Sequence, residues 1–162
     1  MNSQSSSQSM PLTPHGVLET ALYVDDLAIA EEFYTSLLGL EKHSSDPQRH
    51  LFYYCGSGML LLFRAGATNH SGLAVGSGEI PAHGAAGPGH VAFRVWASEI
   101  ELWRSRLAAR KIRLETEIIW PQGGHSLYFR DPSGNSLELA TPQLWGFPDT
   151  WPDFSSLVTT SP

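Results

Sequence analysis

Glu19 in VLETALYVDDL, His90 in GPGHVAFRVWA and Glu138 in YFRDPSGNSLELATP each sit on a strand-like run with small or polar residues two positions away. Two carboxylates and an imidazole facing one cavity make a ligand set for a divalent metal, and three protein ligands leave coordination positions open for water or substrate. The set is harder than one of thiolates or histidines alone, which suits Mn²⁺, Fe²⁺, Ni²⁺ or Zn²⁺ rather than copper. Each residue alone has a plainer reading as a solvated or hydrogen-bonded strand residue. Their joint placement makes the case.

Around these three stand groups suited to substrate handling. His125, in the Gly-rich PQGGH turn, reads either as a proton relay near a metal or as a surface-loop histidine. Tyr128 shares an alternation face with Ser126 and Arg130, so it either turns its hydroxyl toward the site or serves as an amphipathic core tyrosine. His83 lies on the Gly-rich PAHGAAGPGH segment, a candidate lid bringing a substrate contact. Arg94, four residues after His90 and on its face, suits a substrate carboxylate, or a pairing with Glu19 or another acid. Trp120, beside Pro121, is a candidate pocket-lining residue. Cys55 has no second cysteine for a zinc or redox motif and reads as a buried strand residue. Gly56-Ser57-Gly58 lacks the lysine and helix of a phosphate loop.

The positioning elements follow from periodicity. Val17–Val24 alternates, with Leu18, Thr20, Leu22 and Val24 on one face and Glu19, Ala21 and Tyr23 on the other. Asp25 and Asp26 are candidate caps for a helix in which Leu27, Ala30, Phe33, Tyr34, Leu37 and Leu38 recur before Gly39 ends it. A strand is expected around Leu40 to Lys42, then a hairpin of His50–Cys55 and Met59–Phe63. Residues 65–89, rich in Gly, Ala and Ser, read as a linker or active-site loop. The pattern then repeats: a strand over Gly89–Val95, a helix capped by Ser98 with Ile100, Leu102, Trp103, Leu107 and Ala108, and strands at Ile112–Ile119, Ser126–Phe129 and Ser136–Leu139. Aligning Glu19 with His90 also aligns Val24 with Val95, which indicates an internal duplication.

A chain of 162 residues with 41% hydrophobic content builds one core. A net charge of -6 with scattered Lys and Arg excludes an electrostatic footprint for nucleic acid or an anionic membrane. With one cysteine, no membrane-spanning run and no signal peptide at the start, a cytoplasmic protein is expected. Residues 1–15, dominated by Ser, Gln and Pro, read as a disordered tail. Residues 16–142 read as the domain, with modules at about 17–66 and 88–142 joined by a 67–87 linker, and 143–162 as a C-terminal arm.

LYVDDLAIAEEFYTSLLGLE, GPGHVAFRV and SLYFRDPSGNSLEL together resemble the vicinal oxygen chelate superfamily, which includes glyoxalase I, extradiol dioxygenases, fosfomycin-resistance proteins and bleomycin-binding proteins. The resemblance covers about residues 17–142. It implies an α+β fold of two βαβββ modules whose mixed sheet curls around a cup, and metal ligands at Glu19, His90 and Glu138. It places the fourth glyoxalase I ligand near Leu60 or Leu62, neither of which binds metal. It further implies a metal-dependent enzyme of glyoxalase or dioxygenase type acting on a small oxygen-chelating substrate, commonly as a homodimer with modules paired within or between chains. The alternative it carries is a metal-free binding protein of the bleomycin-resistance kind.

Overall fold

The computed structural model describes residues 12–70 and 72–150. Residues 1–11 of the expected tail and residues 151–162 of the expected arm lie outside this range. Residues 12–15 belong to no regular element and are exposed. The first module comprises β1 (Glu19–Val24), α1 (Leu27–Ser36), β2 (Lys42–Asp46), β3 (His50–Cys55) and β4 (Gly58–Arg64). The second comprises β7 (His90–Arg94), α2 (Ile100–Ala109), β8 (Thr116–Ile119), β9 (His125–Arg130) and β10 (Ser136–Ala140). Between them the expected linker contains a short hairpin of its own, β5 (Leu73–Val75) and β6 (Gly78–Ile80).

The two βαβββ modules make two mixed four-stranded sheets, ordered β1-β4-β3-β2 and β7-β10-β9-β8, with no closed barrel. In each, the first strand runs parallel to the last and the other pairings are antiparallel. The helices cover one face of each sheet. Leu22, Val24, Leu60 and Leu62 turn inward from the first, and Phe93, Leu127, Phe129, Leu137 and Leu139 from the second, into a single core. Phe33 of α1 reaches Phe129 of β9, ring centroids 6.5 Å apart, so the modules share apolar filling. Alternation leaves Glu19, Ala21 and Tyr23 of β1, and His90, Ala92 and Arg94 of β7, on the opposite faces.

Local chemistry explains the ends. Asp26, and not Asp25, caps α1, its Oδ1 accepting from the backbone of Ala28 and Ile29 at 2.8 and 3.0 Å. Ser98 does not cap the second helix. It lies within a 3₁₀ turn over Ala97–Glu99, where the Glu99 carboxylate takes the Trp96 N–H and Asp149 takes that of Ala97. The strand expected around Leu40 to Lys42 falls later, at Lys42–Asp46, because pairing with β3 sets its place and the polar KHSSD run carries no apolar period.

The modules are tied together by the Asp131-Pro132-Ser133-Gly134-Asn135 turn. Buried Asp131 accepts from Tyr34 Oη (2.9 Å), from the backbone of Ser133 (2.9 Å) and Asn135 (2.8 Å), and from Asn135 Nδ2 (2.8 Å). Asn135 also donates to the Tyr23 carbonyl at 2.9 Å and accepts from the Gly89 N–H at 2.8 Å. A Cβ at Gly89 would stand 2.7 Å from Leu22 Cδ2, so a side chain there would force the Leu22 methyl aside.

Asp131→Ala strands several buried donors at once and is expected to cost about 3 kcal/mol or more, read from urea unfolding. Burial, reinforced by Asp131, holds the Tyr34 phenol far above its ordinary ionisation range, and burial raises Tyr53 as well. The unfolded chain loses these protons near pH 10 while the native state keeps them, so stability should fall as pH rises above about 10. Urea midpoints across that range test this. Tyr34→Phe should flatten the decline while lowering the midpoint at neutral pH.

Candidate metal centre

On the exposed face of the second sheet, parallel pairing sets Ser136 opposite His90 and Glu138 opposite Ala92. Antiparallel pairing with β9 sets Tyr128 opposite Glu138. The His90 Nδ1 lies 3.0 Å from the Ser136 carbonyl oxygen. A carbonyl only accepts, so Nδ1 is the nitrogen that donates there, which leaves Nε2 as the ring nitrogen turned to Glu138. That nitrogen is 3.3 Å from Glu138 Oε2. An imidazole nitrogen and a carboxylate oxygen this close can be bridged by a divalent cation or a proton.

The 3.3 Å spacing is compatible with a shared metal. A proton in a charge-assisted bond draws nitrogen and oxygen to about 2.7–2.9 Å. Neighbouring ligands of one metal, each about 2.1 Å from it and subtending about 90–110°, stand about 3.0–3.4 Å apart. Glu138 is only 7% exposed at its side chain, and a buried carboxylate calls for pairing or a metal. His90, 51% exposed, leaves the approach open. The pair fits a divalent metal by distance, donor type and access.

Behind it runs a polar chain. Tyr128 stands opposite Glu138 in the ladder, and Trp120 Nε1–H donates to Oγ of Ser126, on the same face of β9, at 2.8 Å. Burial first, then the Glu138 carboxylate, raises the Tyr128 phenol above its usual value. The ring lies nearly parallel to that of His90, at an interplanar angle of 19°. Trp120 thus reaches the site-bearing face of β9 at Ser126. Sequence reading placed Ser126 on the right face without giving it a part; it is a small hydroxyl, fully buried, on the face it shares with Tyr128.

The remaining candidates go elsewhere. Among the described residues no three His, Cys, Asp or Glu side chains converge, so Glu19 does not join His90 and Glu138 within one chain. Glu19 lies on the first module, opposite Met59, at a cleft of about 390 Å³ between the modules that Arg94 also lines. Arg94 Nη1 donates to the Thr150 carbonyl at 2.6 Å and not to Glu19 or another acid. His125 has the parity of Leu127 and Phe129, the helix-covered side, and its Nε2 lies 2.6 Å from Glu117 Oε1. Arg104 also holds Glu117, the main cause of that carboxyl's lowered pKa. His83 sits on the first module, with Nδ1 2.5 Å from Tyr23 Oη and its ring against Phe63. The fourth-ligand position near Leu60 or Leu62 also shifts: both leucines point into the core. Register puts Leu61 opposite Ala21, as Glu138 is opposite Ala92, so Leu61 is the counterpart.

Paired βαβββ modules with a histidine on one first strand and a glutamate on the last define a class. Residues 16–139 match the Glyoxalase/Bleomycin resistance protein/Dioxygenase superfamily, and the chain belongs to it. Among solved structures it is similar to a lactoylglutathione lyase from Agrobacterium tumefaciens, with 42% identity over 83% of this chain and 98% of that one and a TM-score of 0.76. An integron cassette protein from the mobile metagenome of the Halifax Harbour sewage outfall is 27% identical over 79% of this chain and 99% of that one, with a TM-score of 0.63. A fosfomycin resistance protein from Listeria monocytogenes, solved as a mutant with Mn(II) and a dihydroxypropylphosphonic acid, shares the fold at 19% identity and a TM-score of 0.61, over 83% of this chain and 98% of that one. No curated protein matches the chain.

A difference titration of native protein against Tyr128→Phe, followed by ultraviolet absorbance, should show a tyrosine ionising above about pH 10. In Glu138→Gln that ionisation should move downward, with the part due to burial left in place.

Proposed function

We propose that the protein is a divalent-metal-dependent enzyme of the glyoxalase and dioxygenase type, acting on a small molecule that offers two neighbouring oxygens. The observation that carries this reading is the 3.3 Å separation of His90 Nε2 and Glu138 Oε2 with Nδ1 already engaged by Ser136. The 42% identity to a lactoylglutathione lyase favours a lyase or isomerase reaction over ring cleavage. Glu19, His90 and Glu138 are the proposed ligands of Mn²⁺, Fe²⁺, Ni²⁺ or Zn²⁺. Because Glu19 stands apart from the other two within one chain, it acts across a homodimer, the first module of one copy facing the second module of the other. A lone cysteine without a disulfide partner suits a reducing cytoplasm.

A metal held there supplies Lewis-acid polarisation of the substrate's two oxygens. The chain's own groups do the rest. Ser136 holds Nδ1, so Nε2 is the ring nitrogen left to serve a metal. Tyr128 keeps its proton and offers an O–H at the edge of the site, its ring stacked on that of His90. Burial of Glu138 keeps bulk water from competing for its oxygens.

Elemental analysis of the purified protein should find a stoichiometric divalent metal, lost in His90→Ala and Glu138→Ala and weakened about 10-fold or more in Glu19→Ala. Mixing unfolded Glu19→Ala and His90→Ala chains before refolding should restore about a quarter of the sites, since half the dimers are mixed and each holds one intact site. Metal-free protein that still binds its small molecules after all three changes would support the sequestering alternative instead.

A further inference from the structure

The two modules are not equal at their equivalent positions. Register makes Glu19 the counterpart of His90, Leu61 of Glu138, and Phe52, opposite Leu61, of Tyr128. Where the second module carries an acid and a phenol, the first carries two hydrocarbon side chains. The substitution extends across the face. Tyr23, His50, Phe52, Tyr54, Leu61 and Phe63 all share the parity of Glu19 or pair with strands that do.

These side chains form a connected aromatic surface. His50 and Phe52 lie nearly parallel with ring centroids 4.0 Å apart, and Phe52 meets Phe63 edge-on at 5.5 Å. The Tyr23 hydroxyl is occupied by His83 Nδ1, and that of Tyr54 by His43 Nδ1 at 2.7 Å, so both tyrosines present ring more than hydroxyl. Burial lowers the His50 pKa, which makes this residue an aromatic ring and not a cation at neutral pH. Leu61 and Phe63 are the floor, while Phe52 is partly open and Tyr54 is 48% exposed.

Charge sharpens the selection. The positions of β1, β3 and β4 on this face hold no Lys or Arg. On the opposing module face Arg94 is bonded to the Thr150 carbonyl, and Arg130 to Glu115 at 2.9 Å and the Gly134 carbonyl at 2.9 Å. A phosphonate or other strong anion finds no unengaged guanidinium on these faces, whereas a neutral ring finds edges and faces of other rings.

We propose that the first-module face carrying Glu19 is the specificity wall of the site, selecting a neutral substrate whose paired oxygens are attached to an aromatic ring, with Phe52 as the principal ring contact. This rests on the metal-centre reading above, because it takes Glu19 and its neighbours to face the oxygens bound opposite them. Oxygens are held by the metal and the ring by the wall.

Benzohydroxamate, cyclohexanecarbohydroxamate and acetohydroxamate offer the same two chelating oxygens and differ only in the attached group. Titrated calorimetrically into Mn²⁺-loaded protein, benzohydroxamate should bind about 10-fold or more tighter than acetohydroxamate. In Phe52→Leu, which keeps apolar volume and drops the ring, that preference should fall several-fold while acetohydroxamate affinity stays put. Equal binding of acetohydroxamate and benzohydroxamate, equal binding of the cyclohexyl and phenyl compounds, or a preference untouched by Phe52→Leu overturns aromatic selection and leaves the metal reading standing. Failure of all three compounds to bind metal-loaded protein overturns the metal reading and this wall with it.

Discussion

The parallel register of β10 against β7 governs the candidate site. It places Ser136 beside His90, so a backbone carbonyl holds Nδ1 and leaves Nε2 turned to Glu138, and it places Glu138 beside the small Ala92, where the carboxylate can lean toward that nitrogen. β9 then adds Tyr128 opposite Glu138 without further adjustment. A slip of one residue would turn Glu138 into the core and bring Leu137 and Leu139 out. The apolar fit of those two leucines, both essentially fully buried, is therefore what aims the carboxylate.

Duplication explains the layout and also its division of labour. The same βαβββ unit occurs twice, its helix-covered faces merge into one core, and its other faces are left to diverge. The second carries donor atoms and the first carries rings. Since the shared core fixes where both faces point, neither could change its chemistry by moving strands; it could change only side chains of one parity.

How much of this was legible in the sequence depended on which force set each feature. Alternation in ETALYV and HVAFR and the apolar recurrence in LAIAEEFYTSLL are local records of burial, and they located β1, β7 and α1. Parity gave the common face of His90 and Arg94, and the common face of Tyr128 and Ser126. The polar strand β2 and the exposed β5–β6 hairpin carry no such record, because their places come from pairing alone. His125 looked available in a Gly-rich turn, yet β9 begins at it and so assigns it to the side of Leu127, where Glu117 takes it. Family resemblance brought Glu19 to the same list as His90 and Glu138, but a one-dimensional pattern does not say which copy of a module faces which. The slip between Leu60 or Leu62 and Leu61 has the same origin, since only the ladder register fixes which of three consecutive leucines faces outward.

Asn135 touches the strand that bears Glu19 and the strand that bears His90, through the two different ends of one amide. An amide manages this because it is at once donor and acceptor. Slow hydrolysis of that group to a carboxylate, an ordinary form of chemical ageing for asparagine, would leave the acceptor end intact. It would set the donor end, now an oxygen, against the Tyr23 carbonyl and the Asp131 carboxylate it formerly satisfied. A single altered atom would thus loosen the seam between the halves without touching either face, and its near-total burial is what shields it from that fate.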